Sequence, residues 1–202
     1  LAIDTDGNLA LTGCLDSSGG GADLGGGSTQ VMGEKDAFVA RYDARGQFLW
    51  RRTFGSRGVG PNGAWRGEAV VANSSSIVIM GHAEVTSTES SVELGNGPLP
   101  LVSTGQAPVF VASYNASDGR YQWAKLCQGL PDHGSIESLN MASANGGDLF
   151  LSGSMGGDNQ INCGVSSPAL PAQPGSSAWV ARFTSSGSNQ WTISFRSAGT
   201  PD

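Results

Sequence analysis

Charge is scarce in this chain: 14% of its 202 residues are charged, where about 25% is usual for a soluble domain. The eleven Lys and Arg are scattered, with Arg51-Arg52 the single adjacent pair, and the net charge is −6. Binding to a phosphate backbone needs clustered cations, so DNA, RNA and anionic membrane surfaces are excluded as partners. Long apolar runs are also missing. Nothing approaches the roughly 18 consecutive apolar residues of a membrane span. No window of about 11 residues holds apolar positions at i, i+3, i+4 and i+7 without Gly or Pro intervening, so no amphipathic helix is expected.

Histidine and cysteine are few. His82 and His133 are the only histidines, and Cys14, Cys127 and Cys163 the only cysteines. There is no HExxH or CxxC, so a zinc site would need distant residues to meet. There is no G-x-S-x-G nucleophile elbow. A Ser-His-Asp triad is recognised by geometry rather than spacing, so it stays open, with a surface or turn role expected for both histidines. The three cysteines are an odd count in a chain large enough to build a core without disulfides.

What is present is Gly, Ser and alternation. The chain has 31 Gly, 27 Ser and 9 Pro. Such a composition with little charge is compatible with disorder, but 38% hydrophobic residues in alternating Val/Ile/Leu runs argue for short strands joined by Gly-rich turns.

The strands repeat. Phe38-Val-Ala-Arg-Tyr-Asp-Ala-Arg-Gly-Gln-Phe-Leu-Trp50 returns as Phe110-Val-Ala-Ser-Tyr-Asn-Ala-Ser-Asp-Gly-Arg-Tyr-Gln-Trp123. It returns again as Trp179-Val-Ala-Arg-Phe-Thr-Ser-Ser-Gly-Ser-Asn-Gln-Trp191. Upstream of each lies another hairpin, closing in Gly13, Gly81 and Gly153. The glycines are 68 and 72 residues apart and the tryptophans 73 and 68, which sets a period of about 70. Between the two hairpins of each unit sits a Gly/Ser-rich insertion, with Asp23-Leu-Gly-Gly-Gly27, Glu93-Leu-Gly-Asn-Gly97 and Ile161-Asn-Cys-Gly164 at corresponding places. Each unit is four strands in two hairpins, which cannot bury both faces alone and must stack on its neighbours. Radial stacking of four-stranded sheets is a β-propeller. The expected fold is all-β, with three propeller blades at 1–66, 67–136 and 137–202. Propellers usually need about 4–8 blades. The chain is therefore read as an interior or processed piece of a longer propeller, or as half of a ring closed by a homodimer.

The unit Asp4-Thr-Asp-Gly-Asn-Leu-Ala-Leu-Thr-Gly13 … Asp36-Ala-Phe-Val-Ala-Arg-Tyr-Asp-Ala-Arg-Gly-Gln-Phe-Leu-Trp-Arg-Arg-Thr-Phe-Gly55 resembles the bacterial β-propeller repeat called the SBBP repeat. The versions it is most similar to occur in large secreted or surface proteins of myxobacteria and their relatives. The second and third units match in skeleton. The second departs in its first turn, with Asn73-Ser-Ser-Ser76. The resemblance implies an extracellular or cell-surface location. Some members carry a Cys after the unit's Trp and another in the next unit's insertion, the places of Cys127 and Cys163. A disulfide there would close a loop of 36 residues, worth about 3–4 kcal/mol in the loop-entropy model. The alternative is two buried thiols. Cys14 is left as a small apolar residue or a free thiol.

Asp4, Asp6 and Asn8 resemble the start of a calcium loop, but Gly7 comes too early and no Glu closes it, so a turn is expected. Gly58-Val-Gly-Pro-Asn-Gly63 matches G-x-G-x-x-G without a helix to follow, so a dinucleotide is not expected. Asn73-Ser-Ser75 and Asn115-Ala-Ser117 match the glycosylation sequon and are read as turns. The acids sit in turns and insertions, which offers no carboxylate pair for glycoside hydrolysis. Trp50, Trp123 and Trp191 recur and are read as structural. Trp65 has no counterpart and is the candidate exposed ligand-binding aromatic, unless it packs on a neighbour. No catalytic, metal or cofactor residues are expected. The leading function is a non-enzymatic adhesion or partner-binding scaffold. A lectin-like carbohydrate binder and a hydrolase or lyase completed by further blades are the alternatives.

Overall fold

Alternation along the chain becomes strands that pair with their sequence neighbours. The computed structural model describes residues 1–19, 21–55, 64–85, 91–101, 108–129, 136–144, 146–155, 161–163 and 177–196. Among these there is no α-helix, only a three-residue 3-10 turn at Ser17–Gly19, and no helix long and apolar enough to cross a membrane.

The first sheet holds β1 (Ala2–Ile3), β2 (Leu9–Asp16), β5 (Lys35–Tyr42) and β6 (Phe48–Phe54), antiparallel in that order. Between β2 and β5 its insertion forms a two-stranded hairpin, β3 (Ala22–Asp23) and β4 (Ser28–Thr29). The second sheet holds β7 (Trp65–Ala72), β8 (Ser76–Ala83), β11 (Val109–Asn115) and β12 (Tyr121–Gly129). Its insertion is the hairpin β9 (Ser91–Glu93) and β10 (Pro98–Pro100). The third sheet is β13 (Ile136–Ser143), β14 (Leu149–Met155), β16 (Ser177–Phe183) and β17 (Asn189–Arg196). Strands β7 and β13 begin at Trp65 and Ile136, just ahead of the unit boundaries read from the sequence.

The insertions add strands to the expected four per unit, and one of these joins the sheet of another unit. β15 (Ile161–Asn162) lies in the third insertion but pairs with β12 of the second sheet, through Gln128↔Asn162 and Gly129↔Ile161. The Cys127–Cys163 disulfide joins the same two segments. Cys14 is free and exposed.

The core is two layers of side chains with the second sheet between them. Successive residues of a strand point to opposite faces. Ile77, Ile79, Phe110, Ala112 and Tyr114 face the first sheet's Ala10, Val39, Trp50 and Phe54. Their neighbours Val78, Met80, Val109 and Val111 face Leu139, Leu149, Leu151, Trp179 and Phe183 of the third sheet. The central strands β8 and β11 are therefore buried on both faces, which is why they read as continuous apolar runs.

The last hairpin of each sheet repeats in detail. Register shifts fall at Arg41/Tyr42, Ser113/Tyr114 and Arg182/Phe183. Each turn then closes on a glycine with positive φ, Gly46 (79°), Gly119 (68°) and Gly187 (81°), a conformation few other residues adopt cheaply.

Candidate functional site

Two of the three repeated tryptophans join one sheet to the next. Trp50 Nε1 donates to the carbonyl of Ala116, 2.8 Å away, in the β11–β12 turn. Trp123 Nε1 donates to the carbonyl of Ser185, 3.0 Å away, in the β16–β17 turn. Each indole lies against the turn glycine. A Cβ on Gly119 would come within 2.7 Å of the Trp50 ring, and one on Gly187 within 2.6 Å of the Trp123 ring. Phe54 stacks on Tyr114 at 5.4 Å, and Arg52 Nε donates to the Gly119 carbonyl at 2.9 Å.

The second insertion hairpin sits at the seam between the first and second sheets, and the first packs on the opposite face of the first sheet. In the first, Asp23 Oδ1 accepts from the N–H groups of Gly25 and Gly27; in the second, Glu93 Oε1 accepts from those of Gly95 and Gly97. Tyr42 Oη donates to the Leu24 carbonyl at 2.7 Å and Tyr114 Oη to the Leu94 carbonyl at 3.0 Å, tying each hairpin to its own sheet. Burial pushes the Tyr114 phenol far above its ordinary value, so it remains a donor. Tyr42 is raised too, by burial first and then by Asp23, against Arg51.

Where the second hairpin meets the first sheet there is an open cavity of about 190 Å³. Arg52 and Phe54 of β6, Leu94 and Gly95 of the hairpin, and Tyr114, Arg120 and Tyr121 of the second sheet line it. Its floor is aromatic and its rim carries two guanidinium groups. Ligand sites for small molecules usually measure about 300–1,000 Å³. This cavity has the volume of a single side chain. Local sequence does not mark Arg52 and Arg120, because Arg52 faces the next unit's turn and only the stacking brings the two together.

Trp65 is the main correction. It is not an exposed binding aromatic. It begins β7 opposite Ala83, is 2% exposed, and packs its ring 6.2 Å from Phe110. Its burial comes from neighbouring strands that local sequence does not reveal.

The acids build turns. Asp4 Oδ1 accepts from the N–H groups of Asp6 and Asn8, and Oδ2 from the Asn8 amide and from Arg41 Nη2 at 2.6 Å. Both oxygens are thus engaged with donors rather than free for calcium, and no group of three His, Cys, Asp or Glu among the described residues could hold a metal. Asn73 and Asn115 cap their own turns. His82 lies in β8, half-buried, with Nδ1 3.5 Å from Glu68 Oε1. Burial lowers its pKa below 6.5, with Glu68 opposing, so it is neutral at pH 7 and the contact is not an ion pair. His133 and the Gly58–Gly63 match lie outside the described residues.

No protein-family model matches the chain, and no curated protein matches it.

Proposed function

We propose that the chain forms three blades, at 1–66, 67–136 and 137–202, of a β-propeller of the SBBP type that serves as a non-enzymatic binding scaffold outside the cell or on its surface. The propeller is supported by the repeated seam, in which a Trp of one sheet seats on the hairpin turn of the next. The function rests on one observation above all. Two insertions share the same acid-capped, glycine-rich tip and the same tyrosine tether. Loops held rigidly on a frame suit recognition. A side-chain-sized cavity beside the second tip suits a protein or peptide partner better than a small-molecule substrate. Its guanidinium rim favours an acidic side chain. A disulfide fits an oxidising compartment.

The test is selection from a displayed peptide library, with the wild type and Arg120→Ala, whose side chain is exposed. Acidic peptides enriched by the wild type and lost in the variant are expected. Capture only on a glycan array would move the function to the lectin-like alternative. Turnover of a hydrolase or lyase substrate panel would overturn the scaffold reading.

A further inference from the structure

We propose that the cavity between the first and second sheets takes a partner peptide's tyrosine whose phenol oxygen carries a sulfate or phosphate ester. The proposal deepens the peptide-binding reading of this cavity and rests on it. Both walls belong to this chain, β6 on one side and the second sheet with its hairpin on the other.

At the next seam the corresponding place is crossed by a disulfide. Cys127 stands where the first unit has Phe54, and Cys163 where the second insertion has Gly95. Both cysteines are buried. The cations differ as well. Lys125 lies two residues after Trp123, as Arg52 does after Trp50. Ser188 follows the turn glycine Gly187, as Arg120 follows Gly119. Asn189 pairs with Phe183, as Tyr121 pairs with Tyr114. Sheets of this chain therefore stack without two guanidiniums at the seam, and the pair is particular to the first one.

The two guanidiniums are anchored but not used up. Arg52 Nε donates to the Gly119 carbonyl at 2.9 Å, and Arg120 Nε lies 3.3 Å from Asp118 Oδ2. Each is held through Nε, which leaves its two Nη groups for a ligand. Both residues are exposed. The nearby acid Glu93 is occupied by the N–H groups of Gly95 and Gly97. A carboxylate offers two oxygens, which one planar fork satisfies. A sulfate or phosphate ester offers three terminal oxygens, enough to meet two forks at once. The floor selects the group that carries the anion. Tyr121 is half-buried, and its ring meets Tyr114 edge-on at 6.5 Å, with Phe54 stacked on Tyr114 beneath. An Asp or Glu side chain brings no ring to lie on these aromatics, whereas a tyrosine does. A cavity of about 190 Å³ holds one such side chain.

The experiment titrates the whole chain into a dye-labelled peptide Ala-Gly-X-Gly-Ala and follows fluorescence anisotropy. X is tyrosine, O-sulfotyrosine, O-phosphotyrosine or glutamate. An ester peptide is expected to bind about tenfold tighter than the tyrosine and glutamate peptides. Arg120→Ala is expected to lose that preference while keeping the wild-type melting midpoint, since its side chain is 83% exposed. Arg52→Lys keeps the charge but not the fork, and is expected to weaken the preference. The pH dependence separates the two esters. Phosphate binding falls between about pH 7 and pH 5 as the ester takes up a proton, and sulfate binding stays level. A glutamate peptide that binds as tightly as both esters, or an ester preference that survives in both variants, would overturn the proposal. Glutamate binding that matches the esters and is lost in Arg120→Ala would defeat the ester alone and leave the acidic-side-chain reading standing. No binding by any of the four peptides would defeat both.

Discussion

The fold lowers the pKa of both Asp4 and His82, which favours the charged form of the first and the neutral form of the second. Burial alone would raise the Asp4 carboxyl. The Asn8 amide, the N–H groups of Asn8 and Asp6, and Arg41 outweigh it and hold the pKa below 3.8. A depressed carboxylate stabilises the fold above its unfolded pKa and loses that contribution as pH falls through the folded value. Asp4→Asn leaves the buried Arg41 without its charge partner. It should cost about 3–5 kcal/mol by urea unfolding at neutral pH and flatten the acid limb below about pH 4. His82 is lowered mainly by burial, so its contribution is complete above 6.5 and declines as pH falls below that. His82→Gln should remove this decline between about pH 7 and pH 5. An unchanged pH profile in the variant would show that His82 is freely solvated. One residue-level pattern is legible in the sequence itself. Arg41 and Arg182 occupy equivalent positions, and each meets an acid from its own first turn, Asp4 or Asp148, while the unit with Ser113 has a turn without acids.

At the scale of elements, the hairpins could be read because their information is local. Alternation, Gly at positive φ and the Trp period all lie within one unit. Trp65 could not be placed that way, because Ala83 and Phe110, which bury it, lie in other strands. β15 was illegible for a similar reason: two residues carry no periodicity, and their partner is the preceding unit's outer strand. The Cys127–Cys163 disulfide marks that crossing. Replacing both cysteines with Ser should cost about 3–4 kcal/mol, read as a lower unfolding midpoint that reductant no longer changes. Reductant leaving the wild-type midpoint untouched would contradict it. Tyr114→Phe removes the hydroxyl tether to Leu94 and should cost about 1 kcal/mol. The same change at a surface tyrosine without a partner would be silent.

For the molecule as a whole, the second sheet is the keystone, since both of its faces are core and each neighbour packs against one of them. The tryptophan seams lie at the outer ends of those two layers. Trp123→Ala should therefore separate the second and third sheets at one end and cost about 3–5 kcal/mol, the usual range for truncating a large packed aromatic. The most direct measurement is hydrogen exchange of the tryptophan indole N–H groups, followed by NMR on the folded protein. Slow exchange is predicted at Trp50 and Trp123, whose Nε1 protons are held by Ala116 and Ser185 across the seams. Exchange of both at the rate of free tryptophan, while the amides of β5 and β11 stay protected, would contradict the stacked arrangement of the three sheets.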